Sequence, residues 1–536
     1  MPTNAEAIAA VLREAGVRRC FGHPGGEIIV FLEACRRAGI QFLLIGHEAS
    51  AAFMADVTGQ ITGVPGLCAS TLGPGATNLV TGVSNAFLDR SPVLAVTAQL
   101  STQLDPSYTH QRLDLRRLFA PITKWSVTID GYGTRAIAER AVSLAQAPRR
   151  GPVHVALPSD LAGQPVRSDE PSELLPDVPA APGAPPVEAL ARAAAAITRA
   201  HRPAVVIGVG ADPQRASGPL ARFLSASGFP FFTTPKVKGI VDEADPRFIG
   251  IASGMAGDEA VLRLMQRCDL LIGVGFDPVE CDKDWFVRQR FVALDEVGGA
   301  DGGYQPEIEV IGAIPESLDH LASAVSRNHG WEGDEIAAMR EEITESVRPR
   351  RPAQDGLSPY EVMRRLREAW PEEGIAVCDV GAHKQLIGQV WRTARPGTFF
   401  MSNGLSSMGY GLPGAVAAKL VHPDRPVLCV TGDGGFLMVL HVLEFLVREA
   451  VPVVVAVLSD RTLAAIKVSQ RRRELRPYGV DFGHPDFAAV ATAFGAVGRR
   501  VDRLDEVAPV TSDALASGRP VVLDIAVDPS EYVDQI

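Results

Sequence analysis

Residues 427–470 read VLCVTGDGGFLMVLHVLEFLVREAVPVVVAVLSDRTLAAIKVSQ, and the two apolar runs in this stretch decide the fold. Residues 427–430 are apolar and rich in β-branching, as a strand buried on both faces would be. They lead into Gly432-Asp433-Gly434-Gly435, where a sharp change of direction favours residues without side-chain bulk. Phe436, Leu440, Leu443 and Val447 then fall at helical spacing on one face. A second apolar run, 451–458, ends at Ser459-Asp460. If the two strands are parallel neighbours, Asp433 and Asp460 arrive at one carboxyl-end edge of a sheet. A hard cation such as Mg²⁺ takes oxygen ligands of this kind and completes its shell with phosphate and water. The helix start after Gly435 offers N–H groups to a phosphate. Asp-Gly pairs also form ordinary turns, and an aspartate after a strand also caps helices, so the residues alone leave cradle and turn both open.

The same alternation runs through the chain. Segment 18–22 reads as a strand, followed by His23-Pro24-Gly25-Gly26 and a helix. Segment 42–45 is the next strand and runs into Gly46-His47-Glu48, which opens a long Ala-rich helix. A strand ending near Ala69 precedes Leu72-Gly73-Pro74-Gly75, a helix over 76–87 and an apolar strand over 92–98. Segment 159–186, rich in Pro, Asp, Glu and Ala, reads as a connection between domains. A second unit begins with a helix over 187–198 and has strands at 204–207, 231–234, 270–274, 291–294 and 308–311. Its Gly208-Val209-Gly210 is a weak dinucleotide signal, and a glycine pair after a strand is more often a tight βα turn. Dense charge and poor apolar periodicity from 328 to 354 suggest a second linker with some helix. A helix over 358–370 and a strand over 375–378 lead to Asp379-Val380-Gly381-Ala382-His383. The stretch from Asp481, DFGHPDFAAVATAFGAVGRRV, carries a helix towards a short strand, and 521–525 supplies a late one. The predicted fold is α/β, with three consecutive doubly wound parallel-sheet domains over 1–165, 186–326 and 357–536.

Composition narrows the function. The 46% hydrophobic content of the 536 residues excludes a disordered chain, and a net charge of −11 argues against a nucleic-acid partner. The run Arg471 to Arg473 reads as a solvated face or subunit contact. Seven cysteines without metal-ligand spacing indicate neither a disulfide framework nor a zinc site. The start, MPTNAEAIAAVLREAG, reads as an amphipathic helix, and no window suits a membrane span, so a soluble cytoplasmic protein is the expectation.

The GDGG…SD pair is similar to the cofactor motif of thiamine diphosphate (ThDP) enzymes. HEAS at 47–50, HQ-x-x-D with PITK between His110 and Lys124, and DVG-x-H at 379–383 extend the resemblance over the whole chain. It is most similar to acetolactate synthases, meaning the acetohydroxyacid synthase large subunits and their catabolic relatives. The resemblance implies three domains: pyrimidine-binding, central and Rossmann-like, and diphosphate-binding. It implies that Asp433, Asp460 and the Thr462 carbonyl hold Mg²⁺, with Gly432, Gly434 and Gly435 beside them. Gly381, Ala382 and His383 would lie on the other side of the diphosphate. Glu48 would hydrogen-bond N1′ of the aminopyrimidine and is the first catalytic candidate. Gly25, and Gly73 in TLGPGATN, would sit in loops that approach the cofactor. Met408 would wedge between the cofactor rings, and the Ser406 carbonyl would accept from the 4′-amino group. Gln111, with His110, would face the substrate.

The resemblance also implies a reaction. A 2-oxo acid, pyruvate foremost, would lose CO₂ and be joined to a second carbonyl compound. The rivals are a non-ligating 2-oxo acid decarboxylase, FAD-dependent oxidation, and a relative that binds ThDP without turnover. Loss of Glu48 or of a metal ligand would favour the last, and all are present. The absence of a His-His pair weakly favours the ligase over the decarboxylase. Some family members bind FAD or an adenine nucleotide in the central domain. GVGFDPVECDKDWF, at 273–286, is closer to the catabolic branch, which works without it, so the reading leans against FAD. Ser459 stands where Asn is common. Ser469 and Ala465 stand where the biosynthetic synthases carry a tryptophan and a methionine. A more open pocket near Arg471 to Arg473 and Arg476 would suit a larger or more anionic acceptor. The active sites of such enzymes lie between subunits, which implies a homodimer or homotetramer.

Overall fold

A computed structural model describes residues 1–281, 289–298, 305–327, 329–483 and 485–536. The 282–286 part of the GVGFDPVECDKDWF segment, Asn328 at the start of the expected second linker, and His484 lie outside the described residues. Three six-stranded sheets, parallel throughout, carry the fold. The first holds β1 (Arg19–His23), β2 (Gln41–Leu44), β3 (Gly66–Ser70), β4 (Val93–Gln99), β5 (Trp125–Thr128) and β6 (Val153–Pro158). The second holds β7 (Pro203–Ile207), β8 (Phe231–Thr233), β9 (Phe248–Ile251), β10 (Leu270–Val274), β11 (Phe291–Asp295) and β12 (Ile308–Ile311). The third holds β13 (Ile375–Cys378), β14 (Phe399–Met401), β15 (Val427–Gly432), β16 (Val454–Ser459), β17 (Val497–Val501) and β18 (Val521–Ala526). Among the described residues no helix is long and apolar enough to cross a membrane.

The orders are β2-β1-β3-β4-β6-β5, β12-β11-β10-β7-β8-β9 and β14-β13-β15-β16-β18-β17. The first and third sheets thus share one topology, which reverses direction between β1 and β3 and between β13 and β15. In open parallel sheets such reversals leave a crevice at the carboxyl ends where ligands lie.

The chain forms two compact units. One takes residues 1–181, 405–423 and 439–451; the other takes 182–404, 424–438 and 452–536. In the first unit, the helix Glu48–Thr62 is buried almost all round, as its Ala-rich sequence allows. Gly82, on the helix Pro74–Leu88, leaves no room for a side chain, because a Cβ there would lie 2.4 Å from the Ala52 Cβ. In the second unit, Lys238 and Glu243 form an ion pair that is 1% and 4% exposed. Lys238 donates to both Glu243 oxygens, at 2.8 and 3.0 Å, and to the Gly388 carbonyl at 2.8 Å. Gly388 lies in the helix Ala382–Val390, so the pair ties the turn after β8 to that helix.

Two expectations change. The single helix read from Phe436 to Val447 is two, Asp433–Met438 and Val442–Arg448. Phe436 packs on Phe487 in the second unit, whereas Val442, Leu443, Phe445 and Leu446 are buried in the first. The charged stretch expected to be a linker contains a packed helix, Gly333–Val347, with Ile336, Met339, Ile343 and Val347 buried along one stripe.

Candidate active site

In the first unit the carboxyl ends of β1, β2 and β3 bring three loops together. Glu48 starts its helix immediately after β2 and is 6% exposed. Its Oε2 accepts a hydrogen bond from Asn78 Nδ2 at 3.0 Å. Asn78 lies on the helix that follows TLGPG, and Gly75 leaves the gap between them: a Cβ there would lie 3.1 Å from Glu48 Oε1. Gly25 is equally constrained, because a Cβ would meet the Thr71 side chain at 2.5 Å. Thr71 Oγ1 donates to Glu27 Oε2 at 2.7 Å and ties the β1 and β3 loops together.

Gln111 has a left-handed backbone, φ 54°, and its side chain lies against Gly73, where a Cβ would meet it at 3.1 Å. His110 instead sets its ring edge-on to Tyr108. Of the expected substrate-side pair, the structure therefore brings Gln111, and not the His110 ring, to the glycine loop. Ser406 and Met408 belong to this same unit. Ser406 is exposed with φ 54°, and the Met408 carbonyl accepts from Ser407 Oγ at 3.2 Å. Tyr410 anchors the segment: its hydroxyl accepts from Gln60 Nε2 at 3.3 Å and its ring packs edge-on against Phe53. His441, which the sequence pattern places inside a helix with no further role, supports the Glu48 loop. It lies within hydrogen-bond distance of Ser50 Oγ at 3.1 Å, and a Cβ on Gly46 would come within 2.9 Å of its ring. Burial lowers its pKa, helped by the neighbouring His47.

In the second unit, β15 and β16 are parallel neighbours with Gly432 opposite Leu458, so Asp433 and Asp460 leave adjacent strands at the same edge. Asp433 is 3% exposed; its Oδ1 accepts from Gly434 N–H at 2.8 Å. Its Oδ2 accepts from the N–H groups of Asp460 at 3.0 Å and Arg461 at 2.7 Å. Asp460 Oδ1 accepts from Thr462 N–H at 3.1 Å. Burial and the Asp433 charge push the Asp460 carboxyl up to about 8, a cost that a bound divalent cation would reverse. Among the described residues, no group of three or more His, Cys, Asp or Glu side chains is placed to hold a metal, so a third protein ligand would be a neutral oxygen such as a backbone carbonyl.

Gly381 begins the helix Ala382–Val390 and gives its first turn no side-chain cap. The His383 ring fills the space beside it: a Cβ on Gly381 would lie 2.7 Å from that ring and one on Gly432 3.3 Å from it. His383 is buried and held neutral, its pKa lowered to about 4 by burial, and its Nε2 has no hydrogen-bond partner among the described residues. A buried polar atom left unpaired is costly unless a ligand meets it. Gly435 is fixed by Asp379, whose Oδ2 would be 2.5 Å from a Cβ there. Asp379 itself accepts from Val380 N–H and Thr431 Oγ1, at 2.8 and 2.9 Å. Ser459, the departure from the family pattern, donates to the buried Asp524 at 2.6 Å and supports the sheet edge from behind. The uncapped helix start and the paired aspartates fit a metal-bound diphosphate.

Three family models match the chain. Residues 2–118 match the family described as thiamine pyrophosphate enzyme, N-terminal TPP binding domain. Residues 190–321 match its central domain and 379–525 its C-terminal TPP binding domain. An acetolactate synthase of Bacillus subtilis is 32% identical over 99% of this chain and 94% of its own length. The Escherichia coli acetolactate synthase isozyme 2 large subunit is 31% identical over 99% and 96%. A catabolic acetolactate synthase of Raoultella terrigena is 30% identical over 98% and 95%.

Proposed function

The chain belongs to the thiamine pyrophosphate enzymes, in their acetolactate synthase-like branch, and on that premise we propose that it is a Mg²⁺-dependent carboligase of 2-oxo acids. Pyruvate is the foremost substrate: two pyruvates and one proton give acetolactate and CO₂. The observation that carries the reading is Glu48, a buried carboxylate presented at the start of a helix, in hydrogen-bond contact with Asn78 and flanked by Gly75.

Bound ThDP supplies the electron sink that lets a 2-oxo acid lose CO₂. Glu48 holds the proton on the aminopyrimidine ring nitrogen and orients that ring. Asp433, Asp460 and the Thr462 carbonyl would hold the metal, while the backbone N–H groups at the start of the helix Ala382–Val390 would receive the diphosphate. Gly432, Gly434 and Gly435 keep that edge free of side chains. Met408 and the Ser406 carbonyl fix the shape of the cofactor, which is positioning catalysis. Gln111, against Gly73, donates a hydrogen bond to substrate oxygen. The segments 1–165, 186–326 and 357–536 serve as pyrimidine-binding, central and diphosphate-binding domains, and FAD is not required. Exposed Ile29, Val30 and Leu44 support a homo-oligomer in which active sites are shared between copies. Seven unpaired cysteines support a cytoplasmic location.

A larger or more anionic acceptor is the second reading. Small Ala465 and Ser469 lie on the helix that follows Thr462, and Arg471 to Arg473 are exposed at its end.

Incubation with pyruvate, ThDP and Mg²⁺, with and without added 2-oxo acids, tests these readings by product analysis. Acetolactate with one CO₂ per two pyruvates is expected; acetaldehyde as the only product refutes ligation. Glu48→Gln is expected to lower turnover by about 10²- to 10⁴-fold while calorimetry still detects ThDP binding. Full activity in that variant refutes the role of Glu48.

A further inference from the structure

The strand order of the central sheet reverses between β7 and β10, the place where a nucleotide would lie across the carboxyl ends. Here the chain fills that place itself. Gly208-Val209-Gly210 follows β7 and Gly275 follows β10. Gly210 N–H donates to the Gly275 carbonyl at 2.8 Å. A Cβ on Gly208 would lie 2.7 Å from Phe276 Cα, and one on Gly275, where φ is +58°, 2.2 Å from the Ala211 nitrogen. The three glycines therefore serve contact between two backbone turns, not the approach of a ligand.

Glu280 closes the same turn. It is 4% exposed, and its Oε2 accepts from Val209 N–H at 2.8 Å and from the Thr234 hydroxyl at 2.9 Å. Val209 follows the first strand of this unit and Thr234 the second, so these are donors that a phosphate and the ribose next to it would compete for. The loop bearing Glu280 is held by its carbonyl, which accepts from Ser253 Oγ and from Asn403 Nδ2. The following helix, Pro213–Ser227, is capped by Asp212, which accepts from Gln214 N–H at 3.0 Å, and Pro213 brings no N–H to its first turn. A pyrophosphate entering here would meet two carboxyl groups and no unused turn.

We propose that the Glu280 carboxyl group is the built-in ligand of this turn, standing where a nucleotide phosphate would be gripped and closing the central sheet to FAD and adenine nucleotides. The inference deepens the FAD-free reading above and rests on it. It assigns a positioning role to one side chain, in a turn that small anions can fill once that side chain is removed.

The test uses the full chain with ThDP and Mg²⁺ at saturation, so that the other anion site is blocked. Wild type, titrated with FAD and with ADP, is expected to show no saturable binding. Glu280→Ala, which leaves Val209 N–H and the Thr234 hydroxyl unpaired, is expected to lower Tm by several degrees. Formate should recover at least half of that loss in the variant and leave wild type unmoved. Glu280→Gln keeps an acceptor oxygen and should stay near the wild-type Tm. Saturable FAD binding to wild type overturns the FAD-free reading and the inference with it. A folded Glu280→Ala whose Tm is unchanged, or is not recovered by formate, overturns the role of Glu280 alone. If Glu280→Ala does not fold, Glu280→Gln decides: failure there too overturns a role that needs only an acceptor.

Discussion

Replacing Lys238 by methionine tests how far the diphosphate-side helix depends on a buried charge. All three ammonium protons are spent, two on Glu243 and one on the Gly388 carbonyl, and the group also lies 5.5 Å from the centre of the Phe399 ring. Glu243 Oε2 accepts in addition from Thr393 N–H at 2.8 Å. Burial pushes Lys238 down and Glu243 up, and each charge opposes the shift of the other. Removing one partner from such a pair costs about 3–5 kcal/mol, because the other stays buried without compensation. For a unit of several hundred residues that is a fall in Tm of roughly 5 °C or more. Because Gly388 and Thr393 flank the end of the helix Ala382–Val390, ThDP affinity should weaken as well. Scanning calorimetry and ThDP titration read both effects. Lys238→Met with Glu243→Gln should recover most of the stability, since a pair removed together leaves no orphan charge. A single variant within about 0.5 kcal/mol of wild type, the usual range for surface changes, refutes the reasoning. So does a double variant as unstable as the two single changes combined.

Asp433→Asn removes a charge from the proposed metal site and should weaken Mg²⁺-dependent ThDP binding by at least tenfold, or about 1.4 kcal/mol. Titration of ThDP with and without EDTA measures it, and equal metal dependence in variant and wild type refutes the assignment. The second test concerns pH. Burial, with a smaller push from Asp277, raises the Glu280 carboxyl from 4.5 to about 7, against Val209 N–H, the Thr234 hydroxyl and the Lys236 charge. The folded state therefore holds this proton more tightly than the unfolded chain. Its contribution is full below pH 4.5 and is lost as pH rises to 7, by up to about 3 kcal/mol. Urea midpoints at pH 5 and pH 8 should fall less in Glu280→Gln than in wild type; equal falls refute the shift.

The sequence displays what local pattern can carry. The run 453–457 is β-branched or small throughout and starts after Pro452, so β16 was legible, and with it the partnership of Asp433 and Asp460. β6, β9 and β14 went unread; β14, with three residues, has too few positions to show a period. In Gly333–Val347 the stripe of Ile336, Met339, Ile343 and Val347 was present but masked by Asp334, Glu335, Glu341, Glu342 and Glu345 around it. Functional partners were visible only where a motif carried them. Asn78 lies thirty residues from Glu48, Glu280 seventy-one from Val209, and His441 close to four hundred from Ser50. None of these spacings leaves a periodic trace, because each is made by a turn in one loop meeting a turn in another. For Asn78 the signal lay in the TLGPGATN stretch; for Glu280 it was one acid among several after a strand.

The make-up of the first unit bears on how the chain is made. Gln60 meets Tyr410 across 350 residues of sequence, and the helix Glu48–Thr62 is covered by the helix Gly411–Val421. At ribosomal rates of about 5–20 residues per second, Gln60 waits roughly 20–70 s for its partner. Throughout that interval an Ala-rich helix that is buried on almost every side in the folded unit, and the sheet beneath it, lack one wall. Nascent chains of this protein should therefore be clients of chaperones until synthesis is almost complete, and no fragment ending before residue 405 contains the whole of this unit.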